Sequence, residues 1–284
     1  MPLSPRLLLI RGSLTMIGVI AAGFLLNLLI LSHLQYAVSQ QQLRATYTDQ
    51  LAAGTAPVSE GNFEDVLLQD GEPVARIEIP AIGVDAIVVE GTSSGTLTAG
   101  PGHRRDTGLP GQAGASVLMG RAAAYGGPFS RIQELAPGET ISVVTGQGEH
   151  IYEVIGVRYA GDPSPAPLTA GEGRLVLETA RGFPYMPNGV VRVDAQLVST
   201  TQPAGLRETT RRTLAPEDKE LAGDTTSVWA LVFALQFLVI AEIAGVYSLR
   251  TFGAAKAWVV FVPVLVLSGL LVADQVTRLL PNLM

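Results

Sequence analysis

The chain has 284 residues, of which 48% are hydrophobic and 15% charged; 25 acidic against 19 basic residues give a net charge of −6, and there is no cysteine. This composition excludes disorder, collagen-like repeats and disulfide scaffolds. Without a thiol, thiolate catalysis, thiolate metal sites and lipid anchoring through cysteine are excluded too.

Taken in chain order, the first apolar stretch is Ser13 to Leu31, which carries no charge. It exceeds the roughly 7–15 apolar residues of a signal peptide, and no small-x-small cleavage site follows, so an uncleaved membrane anchor is expected. Residues 35–73 begin with a polar run that suits a juxtamembrane helix or stalk, then pass through Gly54, Pro57, Gly61 and Gly71 as a linker. From Val74 the period becomes strand-like. ARIEIPAIGVDAIVVEG alternates around a Pro80–Gly83 turn, and short strands follow at 116–120, 139–145, 150–160, 173–180 and 190–199. Turn signals at 137–138, 146–148 and 187–189 separate them. Many short strands with glycine turns predict an all-β barrel or sandwich over 74–200.

Residues 201–226 are polar and predict a tether back to the membrane. Two further apolar spans are expected at 227–250 and 257–277, joined by a turn at 251–256, and 278–284 form an end piece. Arg6 and Arg11 precede the first span, and Arg250 and Lys256 flank the last turn. The positive-inside bias then puts 1–34 in the cytoplasm up to its span, the 251–256 turn in the cytoplasm, and the barrel and residues 278–284 outside. Residues 35–226 hold 23 acidic and 14 basic side chains. That excess argues against nucleic acid and against docking on anionic lipid. Two lysines against seventeen arginines suggest a GC-rich bacterial genome.

Several motifs in the middle of the chain carry a resemblance: GPGHRRDTGLPGQAGASVLMG at 100–120 and AYGGPFSRIQELAPGETISV at 124–143, after the two opening strands. Residues 75–199 resemble the sortases, the cysteine transpeptidases of Gram-positive surfaces, and most closely the class E type of actinobacteria. The resemblance implies a closed β-barrel with a groove for a sorting-signal peptide. It also implies three catalytic positions: a cysteine thiolate that attacks the peptide carbonyl, a histidine that handles the leaving-group proton, and an arginine that stabilises the oxyanion. In this sequence the histidine position is Arg121, the cysteine position is Ala180 and the arginine position matches Asn188.

With all three roles vacant, the expectation is a pseudosortase: a catalytically inactive, membrane-anchored binding or scaffold subunit at the cell surface. Its partner would be an exported or membrane protein, or a sorting-signal-like peptide. The alternatives are an active transpeptidase or hydrolase using other residues, and a purely structural envelope subunit with its groove closed. Groove contacts are expected from Arg121, Glu178, Thr179 and Tyr125. Thr179 and Ser116 are the nearest hydroxyls, but a hydroxyl nucleophile needs an adjacent base. His103 suits a turn or packing role, His150 is expected to face solvent, and His33 is juxtamembrane. Arg121 is expected either to bind a peptide or to pair with Glu178 or another acid. No acidic cluster has calcium-ligand spacing, no phosphate loop is present, and no cofactor or metal is expected. Polar residues at membrane depth are Asn27, Gln236 and Glu242, with Asp274 and Arg278 poised to pair at the outer end of the last span.

Overall fold

The computed structural model describes residues 21–61, 66–223 and 228–284. The sequence-predicted start of the first span, including Gly18 and the basic Arg6 and Arg11, lies outside them. The chain divides into two compact units.

The larger unit, from Ser32 onwards and including Leu280–Met284, is built on a closed barrel of eight strands in the order β1-β2-β3-β4-β7-β8-β6-β5. The strands are β1 (Pro73–Ile79), β2 (Val84–Glu90), β3 (Gly102–His103), β4 (Gly114–Met119), β5 (Thr140–Thr145), β6 (Gly148–Arg158), β7 (Gly173–Phe183) and β8 (Met186–Leu197). The β2–β3 and β4–β7 pairs are parallel and the others antiparallel. The expected all-β barrel is therefore present and closed.

The barrel interior is packed by Ile77, Ile79, Leu118, Phe129, Ile141, Leu177 and Val193, among others. Because side chains alternate across a strand, the opposite face of the β4–β7–β8 wall presents Val117, Met119, Val176 and Val190. These form a second apolar cluster with Leu97 and Leu283. Both faces of this wall are covered, so β7 is buried without alternation from Leu175 to Thr179, including the apolar Leu175–Leu177.

Three expectations change. Residues 187–189 are not a turn but part of β8. The hairpin turns instead at Pro184–Tyr185, where Tyr185 takes φ 63° and Pro187 pairs with Gly182. Proline is tolerated there because it lies at the start of the strand. Of the juxtamembrane helix and the stalk that the sequence allows, the helix is present as α1 (Ser32–Ala53), and what changes is that it is bonded to the barrel. Its Gln40 accepts from Ile87 N (2.7 Å) and donates to Ile87 O and Ala99 O, and its Tyr47 hydroxyl donates to Val74 O. The tether is likewise docked: Asp218 accepts from Thr92 N at 2.9 Å, and Leu214 is buried.

The smaller unit contains the end of the first apolar helix, with a π-helical stretch at Asn27–Leu31, and the helices α2 (Val228–Phe252) and α3 (Ala254–Leu279). The expected six-residue turn contracts to Gly253, whose φ of 86° only glycine adopts freely. Among the described residues, three helices, Ala21–Ala53, Val228–Phe252 and Ala255–Leu279, are long and apolar enough to cross a membrane. Within this unit Asn27 Nδ2 donates to Thr277 Oγ1 at 3.2 Å, and Arg278 pairs with Asp274 at 3.0 Å. Gln236 is on an exposed face, and Glu242 lines an apolar cavity of about 620 Å³ with Trp258 and Phe261.

Candidate functional site

β4 and β7 run parallel and side by side, and their C-terminal ends deliver Arg121 and Ala180 to one edge of the barrel. Gly120 donates to Glu178 O at 3.0 Å, and a Cβ on it would strike the Phe129 ring, so glycine is required at that crossing. The next residue, Arg121, is fully buried. One guanidinium nitrogen donates to Ser94 O (2.7 Å) and Ser94 Oγ (2.8 Å), the other to Met284 O (3.1 Å), and the group lies 5.1 Å from the Tyr125 ring centroid. Tyr125 is itself buried, in a left-handed conformation (φ 49°). The planar fork of arginine suits several oxygen acceptors at fixed angles.

Glu178 does not meet Arg121. Its side chain lies on the outer face of β7, opposite Arg192 in the β7–β8 register, and Arg192 Nε donates to it at 2.8 Å. Arg192 also bonds Glu220, and Arg104 is 3.7 Å from Glu178. Burial foremost, reinforced by Glu220, pushes the Glu178 carboxyl above its ordinary value despite the two arginines. The expected Arg121–Glu178 pair is therefore corrected. Strand adjacency brings the two backbones together, but the pleat sends Glu178 across β8.

Thr179 is buried, with its hydroxyl donating to Gly120 O at 2.7 Å; Ser116 is buried as well. No histidine serves either hydroxyl among the described residues. His103 bonds Glu90 (2.9 Å) and Gly108 O (2.8 Å), in keeping with its packing role. His150 is not solvent-facing: only 1% exposed, it bonds Thr145 Oγ1 at 3.0 Å, and its ring fills the space a Cβ on Gly111 would need. Burial pushes its imidazole below the ordinary value.

Ala180 is half-buried and packs against the Leu97–Leu283 cluster. Beside it opens a cavity of about 390 Å³ whose walls include Ala122, Tyr159, Arg181, Tyr185 and Met284. Arg181 stacks over the Tyr159 ring at 4.4 Å. Asn188 is exposed on β8 and does not line this cavity. Sequence reasoning missed Ser94 and Leu280–Met284, the groups that engage Arg121; no motif marks either. No group of three or more metal-ligating side chains is assembled among the described residues.

Residues 77–197 match the sortase domain family model. The barrel is thus similar to the sortase domain over residues 77–197. The chain is 30% identical over 126 residues to sortase D of Bacillus subtilis (strain 168), a match that covers 44% of this chain and spans 62% of that curated relative. Among solved structures, the Clostridium perfringens sortase D5 transpeptidase matches with TM-score 0.45 and 19% identity, covering 58% of this chain and 99% of that one. Sortase E from Streptomyces avermitilis matches with TM-score 0.40 and 27% identity, covering 47% of this chain and 93% of that one.

Proposed function

We propose that this protein is a catalytically inactive sortase of class E-like type, held in the plasma membrane of a Gram-positive, GC-rich bacterium. Its barrel acts outside the cytoplasm as a binding or scaffold subunit for an exported or membrane protein. The observation that carries this reading is Ala180: the β7 position matched to the nucleophile bears a methyl group, and the sequence contains no cysteine. The supporting chemistry is local. Arg121, at the position of the proton-transfer histidine, stays charged at any working pH and cannot act as a general base. Thr179 gives its hydroxyl proton to a carbonyl and has no imidazole beside it. Membership of Leu280–Met284 and the barrel in one compact unit supports the reading that both lie on the same side of the membrane.

The test is a peptide cleavage and transpeptidation assay on the full chain in detergent micelles, using peptides that carry sorting signals. The expected result is no turnover above buffer. Turnover that is lost on Thr179→Ala or Ser116→Ala would replace this reading with that of a hydroxyl-based enzyme. Purification from native membranes after cross-linking reads out the scaffold half. A defined partner attached to the barrel is expected, and its absence counts against that role.

A further inference from the structure

The five residues Leu280–Met284 are held against the barrel as a bound peptide would be. Three of their carbonyls accept from fixed donors: Leu280 O from Ser94 Oγ (2.9 Å), Leu283 O from Ala122 N (2.9 Å) and Met284 O from Arg121 (3.1 Å). Asn282 reads the other side of the cleft. Its carboxamide donates to Thr92 O (2.7 Å) and Lys219 O (2.9 Å), and its backbone N donates to Ala222 O (2.9 Å). Pro281 brings no backbone N–H that would need a partner. Leu283, fully buried, is the apolar anchor among Val117, Met119, Val176 and Val190. The hydrogen-bonding partners come from three separate parts of the unit: the loop after β2, the residues after β4, and the carbonyls of the 219–222 segment.

We propose that Leu280–Met284 is an intramolecular ligand. It occupies a peptide-binding cleft of the barrel in cis, with Arg121 as the clamp on its main chain, so any outside peptide must displace it. The site selects a peptide folded into a turn, closed here by Met284 N donating to Pro281 O at 3.1 Å, with an asparagine carboxamide followed directly by a large aliphatic side chain. Met284 lines the 390 Å³ cavity that Ala180 also lines, so the occupied cleft opens directly onto the vacant catalytic position. The segment hangs from the rest of the chain through Leu280, and such a tethered ligand competes at an effective concentration on the order of millimolar. If it leaves, Ala122 N loses its acceptor and Arg121 loses the one supplied by Met284 while keeping Ser94, and a buried donor left unfilled creates affinity for another peptide carbonyl. This assignment goes beyond the proposed function and holds whether or not the barrel turns over a substrate.

The absence of cysteine makes the test direct. In the full chain in micelles, Leu283→Cys supplies a single thiol, and its alkylation rate is compared with that of the same chain unfolded in urea. At least a hundredfold protection is expected; a rate near that of the unfolded chain overturns the proposal. Independently, residues 280–284 are replaced by Gly-Ser-Gly-Ser-Gly, and acetyl-Leu-Pro-Asn-Leu-Met is titrated onto the replaced and the native chains. Saturable binding to the replaced chain is expected. Binding at least tenfold weaker is expected for the native chain, and for a peptide whose fourth residue is aspartate. A folded replacement chain that ignores the peptide, or a native chain that binds it equally well, overturns the proposal. Should the replacement chain not fold, the alkylation rate decides. Peptide turnover is measured on neither chain, so the outcome is separate from that of the cleavage assay.

Discussion

Arg192→Ala is the most informative single perturbation of the site, because it leaves Glu178 behind. The Glu178 side chain is 4% exposed and that of Arg192 22%, and their 2.8 Å bond is the short contact the carboxylate keeps, with Arg104 held off at 3.7 Å. Stripping one partner from a buried ion pair costs about 3–5 kcal/mol. The partial exposure of Arg192 and the residual Arg104 place this case at the lower end, about 3 kcal/mol. That is roughly a hundredfold in the folded-to-unfolded ratio. Glu178→Gln alone should cost no more than about 1 kcal/mol, since a neutral amide needs no counter-charge. The double variant should therefore recover most of the loss.

The pH dependence has a fixed sign. The folded pKa of Glu178 lies above its unfolded value, so its contribution to stability is complete below the unfolded pKa and is lost as pH rises through the folded one. Removing Arg192 raises the folded pKa further, so the penalty should shrink as the pH is lowered toward 5. Pulse proteolysis of the full chain in urea and micelles, at pH 5 and pH 7.5, reads this out through the barrel fragment. A loss that is independent of pH and persists in the Arg192→Ala/Glu178→Gln pair would mean that Arg192 acts through packing alone, and would refute the charge argument.

Other sites give sharper but simpler expectations. Ala180→Cys should be alkylated in the native chain, because residue 180 lines the cavity. Its rate should fall at least tenfold between pH 8.5 and 6.5, as for an ordinary thiol of pKa about 8.5; a flat profile would reveal an activating base not identified in the site. His150→Gln should remove a loss of stability that the wild type shows in acid. The folded imidazole is depressed, so its contribution is present above the unfolded value of about 6.5 and is lost as pH falls through the folded one. Equal urea midpoint shifts in both proteins between pH 7.5 and 5.5 would contradict this. Gln40→Ala orphans backbone groups of Ile87 and Ala99, and should cost about 2 kcal/mol in the same unfolding measurement. A change within experimental error would mean that α1 is not held to the barrel by these bonds.

The barrel was legible where burial is one-sided. In β1 and β5 alternation gives the strand, because one face meets the core and the other meets water. The membrane spans were legible for a similar reason: length and apolarity alone define them. Legibility failed where the decisive quantity is register. The sequence places Glu178 near Arg121, but only the β7–β8 pairing shows that it faces Arg192. His150 follows a Gly-rich turn and reads as exposed, yet the missing Cβ of Gly111, distant in sequence, makes room for its ring. Leu280–Met284 is too short for any periodicity. Its meaning comes from Ser94, Arg121 and Ala222, which lie 60 to 190 residues away in the chain.

The proposed vacancy of the catalytic positions and the proposed bound segment are mutually consistent in a way that neither is alone. A neutral imidazole offers one donor and one acceptor. It cannot serve Ser94 O, Ser94 Oγ and Met284 O together, whereas the guanidinium does so from two nitrogens. Ser94 completes the relay, accepting from Arg121 and donating its own proton to Leu280 O, so one arginine fixes both ends of the segment. At Ala180 the requirement is apolar: the side chain packs beside the cluster that receives Leu283, and a methyl group adds contact there without a polar atom to satisfy. Glu178 belongs to the same edge, with its charge held by Arg192 away from the cleft. Under the proposed function, the residues that stand where acyl-transfer groups are expected are the same ones that accommodate a main-chain ligand, Arg121 through its hydrogen bonds and Ala180 through its apolar contact.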